Sequence, residues 1–230
     1  MNIACIIPAR AGSKGIPNKN IVSLNDKPLI AHSIDVAKKS KLISDIYVST
    51  DSQNYADIAK GYGAKVPFLR PQSLADDFST DYDFIDHFLK SIGETIPDLL
   101  VHLRPTTPLR DPNIVDKAIH YFLDNLTYTS LRSVHKMSES AYKQFELDGS
   151  QLTAIFSKDN NLDQLNNSRQ TFPETYFPNG YVDILKTSFV LNEKLLHGHK
   201  VLGFITPYTV ELDTYSDLDY LHYLMEANQT

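Results

Sequence analysis

The chain has 230 residues, and 42% hydrophobic with 22% charged residues is ordinary globular composition, enough for one α/β domain with a modest insertion. Lys and Arg number 22 against 28 Asp and Glu, a net charge of −6 that argues against general nucleic-acid coating but leaves room for a local anion site. No apolar run approaches the ~20 residues of a membrane helix, and the N-terminus lacks the order of a signal peptide. The single cysteine, Cys5, excludes an internal disulfide and a thiolate zinc cluster. A soluble cytoplasmic enzyme is the expectation.

Residues 3–7 form a short apolar run ending at Pro8, the pattern of a fully buried strand, with Cys5 as a small core residue. Residues 28–39 carry Leu29, Ile30, Ile34 and Ala37 near helical spacing. A second strand follows at 46–50, with Asp51 and Ser52 available to cap the next helix. Further strands are predicted at 65–69 and 99–103, and helices at 81–92 and 112–123. Strands alternating with helices predict a mostly parallel sheet covered on both faces, a three-layer α/β sandwich. In such sheets ligands gather beyond the carboxyl ends of the strands. The loops at 8–20, 50–52, 70–77 and 104–110 therefore carry the interest.

After residue 130 the pattern degrades. Residues 141–156 read as two short strands around a turn at 147–150, and 159–171 are polar, with Asn160, Asn161, Asn166 and Asn167. Strands resume at 181–184 and 201–206, before a terminal helix from about 217, with Ser216 and Asp219 as its expected capping pair. Residues 130–175 are read as an insertion into a single domain spanning 1–230.

The most informative stretch is Pro8-Ala9-Arg10-Ala11-Gly12-Ser13-Lys14-Gly15, followed by Lys19-Asn20. A glycine-containing loop directly after a strand suits phosphate binding by backbone N–H groups. Residues 1–25 hold Arg10, Lys14 and Lys19 and no acid, whereas 201–230 hold five acids and no Lys or Arg. Neither a P-loop nor the dinucleotide fingerprint is present, which removes P-loop ATPases and nicotinamide dehydrogenases. There is likewise no nucleophile elbow and no His-Glu-x-x-His motif. Near the other end stands Glu211-Leu212-Asp213. On an extended chain, positions i and i+2 face one side, so both carboxylates suit one cation such as magnesium.

These motifs resemble the acylneuraminate cytidylyltransferases, CMP-sugar synthetases that activate nonulosonic acids. The likeness runs in order through the glycine loop, Ser49-Thr50-Asp51, Leu69-Arg70-Pro71, Leu74-Ala75-Asp76-Asp77 and Arg104-Pro105-Thr106-Thr107-Pro108-Leu109-Arg110. It continues through Arg169-Gln170, Pro178-Asn179-Gly180 and Glu211-Leu212-Asp213-Thr214. The resemblance implies a nucleotide-diphospho-sugar-transferase-like fold. It also implies a reaction in which the sugar's anomeric hydroxyl attacks the α-phosphorus of CTP and pyrophosphate leaves. Nucleotide contacts carried over are Ala9, Arg10, Gly12, Ser13, Lys14, Asn20 and Arg70, with Arg10, Lys14 and Lys19 as the catalytic cations. Acceptor contacts are Arg104, Thr106, Thr107, Arg169 and Gln170, and the magnesium ligands are Asp213 and Glu211. The implied partners are CTP and an α-keto acid sugar, and the implied assembly is a homodimer built through the insertion.

Two departures stand out. Many relatives have Asp where Glu211 stands, and many sialic-acid-activating relatives have Gln where Arg104 stands. Arg104 would add a fork able to grip a carboxylate, and it leaves legionaminic, pseudaminic or deaminated acceptors open. An octulosonic-acid cytidylyltransferase and a sugar-nucleotide-dependent glycosyltransferase are the alternatives.

Overall fold

The computed structural model describes residues 1–156 and 161–227, so Asp159 and Asn160 of the expected polar stretch lie outside the described residues. Strand β1 (Ile3–Pro8) alternates its side chains between two cores. Ile3, Cys5 and Ile7 face one side, and Ala4 and Ile6 the other. Cys5 is fully buried, and burial pushes its thiol well above the ordinary range, so it acts as core. Two short strands, β2 (Ser23–Leu24) and β3 (Lys27–Pro28), lead into α1 (Leu29–Lys39). There follow β4 (Asp45–Ser49), α2 (Gln53–Gly61), α3 (Asp81–Ser91), β5 (Leu99–His102) and α4 (Pro112–Leu123). Local chemistry sets these ends. Ser52 accepts from the Tyr55 amide at the start of α2, Thr80 and Asp83 form a reciprocal capping box on α3, and Asp111 caps α4 with Pro112 in its first turn.

The expected strand at 65–69 is reduced to one parallel bridge between Tyr47 and Lys65. Lys65 donates to Ile46 and accepts from Val48, but Pro67 has no N–H to continue the ladder. Beyond residue 130 the chain adds β6 (Ser130–Lys136), β7 (Phe145–Asp148), β8 (Gln151–Ala154), β9 (Tyr176–Lys186), α5 (Thr187–Glu193), β10 (Val201–Ile205) and α6 (Tyr215–Ala227). The central sheet runs β10-β6-β9-β5-β1-β4, with β9 antiparallel to both of its neighbours and the other pairs parallel. Because β6 belongs to that sheet, the elements outside it in the expected insertion are confined to 137–175, where β7 and β8 form a separate hairpin.

Helices α1, α2 and α4 cover one face through Ile30, Ile34, Tyr55, Ala59, Ile119 and Phe122. Helices α3 and α5 cover the other through Phe84, Ile85, Phe88, Leu89 and Val190. This is the expected three-layer sandwich. A third, smaller cluster joins Ile16, Leu24 and Leu29 to Val210, Leu212 and Leu221. It fastens the glycine loop to the acidic segment, and each of its larger side chains contributes roughly 1.5–3 kcal/mol by leaving water. Among the described residues no helix is long and apolar enough to cross a membrane.

Candidate active site

The loops that leave the carboxyl ends of β1 and β5 meet Arg70 and the start of α3 in a cleft of about 260 Å³. Backbone bonds fix the first loop. The Ala9 amide donates to the Ser49 carbonyl at 2.9 Å, and the Ala11 amide to Asp51 Oδ1 at 2.8 Å. The Asn20 amide group closes the loop by donating to the Arg10 carbonyl at 2.9 Å. Asp51, expected as a helix cap, thus reaches across to brace the glycine turn while Ser52 alone caps α2. Arg10, Ser13, Lys14, Lys19 and Asn20 all line the cleft.

Every cation of this loop already has an acid partner. Asp77 accepts from Arg10 at 2.9 Å and pairs with Lys14 at 2.5 Å, and these two cations hold its carboxyl below the usual range. Lys19 Nζ donates to Asp213 Oδ1 at 2.8 Å. Near that contact a Cβ at Gly15 would stand 2.7 Å from the Asp213 carbonyl oxygen. The amino-terminal cationic turn and the carboxy-terminal acids therefore meet beside the cleft, where the lining residues Lys19 and Thr106 bond Asp213 and Glu211, as their opposite charges suggest.

The acidic segment 206–213 is not a strand, since β10 ends at Ile205 before Pro207. The expected alternation survives without a ladder. Val210 and Leu212 are buried, whereas Glu211 and Asp213 face outward. Leu212 donates its amide to the Thr106 carbonyl at 2.7 Å, and Thr106 Oγ1 donates to Glu211 Oε1 at 3.0 Å. Asp217 accepts from the amides of Asp213 and Thr214, and Thr214 Oγ1 caps Asp217 in return. The cap of α6 is thus Thr214 with Asp217, rather than Ser216 with Asp219.

Among the described residues no group of three His, Cys, Asp or Glu side chains could hold a metal ion by itself. Two exposed carboxylates bonded to the cleft-lining Lys19 and Thr106 are nonetheless the donor type magnesium uses when substrate phosphates and water complete its shell. Asp213 and Glu211 fit the ion on those terms.

Arg70 sits deeper in the cleft. It donates to Ser49 Oγ at 3.1 Å and to the Ser49 carbonyl at 2.7 Å, with its guanidinium 4.7 Å from the Phe84 ring centre. Burial lowers its pKa to about 10, which leaves it charged at neutral pH. Arg104 and Thr106 line the same cleft. Arg104, expected as an open fork, is instead clamped by Asp81 and Asp183, each at 2.7 Å.

Not every expected contact converges here. Ala9 and Thr107 are fully buried, and Thr107 Oγ1 lies 3.5 Å from the Asn179 carbonyl. Gly12 makes its turn at φ 74° beside open space. Arg169 and Gln170 line a different pocket, of about 250 Å³, with Lys136, Phe172 and Glu174, and Arg169 donates to the Ser138 carbonyl at 2.7 Å. Arg110, quoted in a motif but given no role, is the staple of the 104–110 loop. It is buried and donates to Tyr181 and Gly180 carbonyls, to the Arg104 carbonyl and to Ser33 Oγ. An arginine closing a proline-rich post-strand loop is the signal that could have marked it.

The family model described as Cytidylyltransferase matches residues 4–217. The N-acylneuraminate cytidylyltransferase of Escherichia coli O18:K1:H7 is 34% identical over 95% of this chain and 50% of its own length. The CMP-N,N'-diacetyllegionaminic acid synthase of Legionella pneumophila is 42% identical over 60% of each chain. This chain therefore spans about half the length of the first relative. A solved CMP:2-keto-3-deoxy-manno-octonic acid synthetase complexed with CTP shares the fold, with a TM-score of 0.75 over 99% of this chain and 100% of that one at 16% identity. With the family model covering nearly all of the sheet and both poles of the cleft, the chain belongs to the cytidylyltransferase family.

Proposed function

We propose that this protein is a CMP-sugar synthetase. It joins CMP from CTP to the anomeric hydroxyl of a nonulosonic acid and releases pyrophosphate. The observation that carries this reading is the Lys19–Asp213 contact at 2.8 Å, because it joins the cationic glycine turn to the acidic segment, as one reacting centre built from both would require. A bond forms between the anomeric oxygen and the α-phosphorus, the bond from the α-phosphorus to the bridging oxygen breaks, and the hydroxyl proton passes to water. Such transfers rest on positioning and charge stabilisation, with little covalent work for the protein.

Arg10 and Lys14 would exchange their bonds to Asp77 for the β- and γ-phosphates and neutralise the departing pyrophosphate. Lys19 would hold the α-phosphate side, and Arg70 and Asn20 would fix the nucleotide against the inner wall. The loop amides around Gly12 and Ser13 add uncharged donors at the turn. Asp213 and Glu211 would hold magnesium together with phosphate oxygens and water. When bound, the ion supplies charge neutralisation and acidifies a hydroxyl that it contacts.

The acceptor class rests on the named activities of the E. coli and Legionella relatives, both acting on nonulosonic acids. An octulosonic acid remains the alternative acceptor on the same machinery. The reading includes a homodimer through 137–175, supported by the exposed Phe145, Leu147, Leu152 and Phe156 of the hairpin region. In such a dimer, Arg169 and Gln170 would complete the partner's acceptor pocket. A cytoplasmic setting belongs to the same proposal.

The test is pyrophosphate release with magnesium, each nucleotide in turn, and a panel of nonulosonic and octulosonic acids. CTP with a nonulosonic acid is the expected productive pair. Sugar transfer from a sugar nucleotide, with no pyrophosphate from any pair, would refute the reading. Sedimentation at working concentration checks the dimer, which a monomeric species would exclude.

A further inference from the structure

Asp81 opens α3 on the cleft wall, where a phosphate-binding site has no evident use for a carboxylate. Its Oδ2 accepts from Arg104 at 2.7 Å, and the other arm of Arg104 donates to Asp183 Oδ2 at 2.7 Å. The Asp183 side chain is 1% exposed and that of Asp81 40%, so this file of charges runs from the core to the open cleft. Arg132 Nε approaches the far oxygen of Asp183 at 3.9 Å. His102, opposite Asp183 in the β5–β9 register, is fully buried; burial lowers its pKa to about 4, so it is neutral and adds no charge. Burial opposes the charge of Arg104 as well, but the carboxylates of Asp183 and Asp81 outweigh it and hold the guanidinium protonated.

The seat of Arg104 is built for this arrangement. Gly180 has φ 62°, and a Cβ there would stand 3.3 Å from both Arg104 Cδ and Thr107 Oγ1. The left-handed glycine leaves the channel through which the arginine stem reaches its two acids.

A guanidinium shared between two carboxylates has both arms of its fork engaged and its charge balanced, so it is a poor grip for an acceptor carboxylate. Asp81 presents the reverse polarity. Its Oδ1 has no hydrogen-bond partner among the described residues, and an ionised carboxylate only accepts. We infer that Asp81 is the acceptor-binding residue of this wall, taking a hydrogen bond from a sugar hydroxyl or amide N–H, with Arg104 and Asp183 as the residues that position it. The inference rests on the acceptor-activating function proposed above and names the contact chemistry of that same site. It also gives the substitution at position 104 a consequence. The arginine does not meet the substrate itself; it brings a carboxylate to the substrate.

The experiment measures KM for acceptor and for CTP separately. The acceptors are N-acetylneuraminic acid and N,N'-diacetyllegionaminic acid, and the proteins are wild type, Asp81→Asn and Asp183→Asn. Asparagine keeps an oxygen for Arg104 but loses the charge. The expected result for Asp81→Asn is an acceptor KM raised about tenfold or more, the loss of a hydrogen bond to a charged group, with the KM for CTP within twofold. Asp183→Asn should move acceptor KM in the same direction and spare CTP, a split that general destabilisation would not produce. If burial makes Asp183→Asn fold poorly, Asp81→Asn alone decides. Unchanged acceptor KM in Asp81→Asn, or a rise in the KM for CTP instead, overturns the inference while wild-type turnover keeps the synthetase reading. No pyrophosphate from wild type with any acceptor removes both.

Discussion

Gly15→Ala would strike the junction of the two poles. The glycine's φ lies outside the left-handed region, so its backbone conformation is open to any residue. On conformational entropy alone, alanine would stabilise the protein by about 0.4–1 kcal/mol. Against this stands the contact. The new Cβ would lie 2.7 Å from the Asp213 carbonyl oxygen, roughly 0.7 Å inside ordinary van der Waals distance, and that oxygen is backbone held by neighbours. Asp213 cannot swing away freely, because Leu212 is fully buried beside it and Asp217 accepts from its amide at 3.1 Å. Overpacking of this kind costs about 1–3 kcal/mol, so the sign of the stability change reverses from gain to loss. A displacement approaching 1 Å between Lys19 and Asp213 should lower kcat about 10²-fold. Urea denaturation and pyrophosphate release on the same variant read both effects. A Gly15→Ala protein that is more stable than wild type and turns over normally would refute the close approach.

Other substitutions probe neighbouring parts of the structure. Leu212→Ala removes a fully buried side chain from the small cluster that fastens the acids to the glycine loop; it should cost about 2–5 kcal/mol in urea denaturation, and a loss under 1 kcal/mol would mean the cluster holds little together. Arg10→Ala gives up a part-buried bond to the Ala75 carbonyl and an exposed one to Asp77, so stability should fall by no more than about 2 kcal/mol while turnover falls about 10²–10³-fold. Near-normal turnover removes Arg10 from the mechanism. His102, with its pKa lowered to about 4 by burial, ties stability to pH. Between pH 6.5 and about 4 the unfolded chain binds a proton that the folded state refuses, so stability falls as pH falls, by about 2 kcal/mol at pH 5. His32 and His197, whose pKa values burial also lowers, act in the same sense. The His102 share is therefore the difference between wild type and His102→Leu measured at pH 7 and pH 5, and identical slopes would contradict it.

Much of this fold was legible because its first half follows simple rules. Helix α4 has an aspartate cap, a proline in its first turn and a clean apolar stripe, and it forms over 112–123 as the pattern predicts. Strand β6 was hidden because Ser130, Arg132, Ser133 and His135 dilute its apolar signal, although two flanking strands bury much of it. Strand β9 was seen only at its apolar centre, since its first residues are exposed and paired at the sheet's rim. The cleft was legible in its charges: three early cations and a late acid pair implied one another. The internal supports of the site were not, because Asp51, Asp81, Asp183 and Arg110 act across 23 to 79 residues of sequence, and spacing carries no trace of such pairs. Asp183 did leave a sign. An acid inside an apolar strand must have a partner, and here the partner is Arg104.

The most direct measurement is a crystal structure of the protein soaked with CTP and a manganese ion, located by its anomalous signal. The triphosphate should displace Asp77 from Arg10 and Lys14 and lie between that turn and Lys19, with the manganese peak against the Asp213 carboxylate. Nucleotide density in the Arg169 pocket instead, with the Asp77 pairs intact and no peak at Asp213, would contradict a shared catalytic cleft.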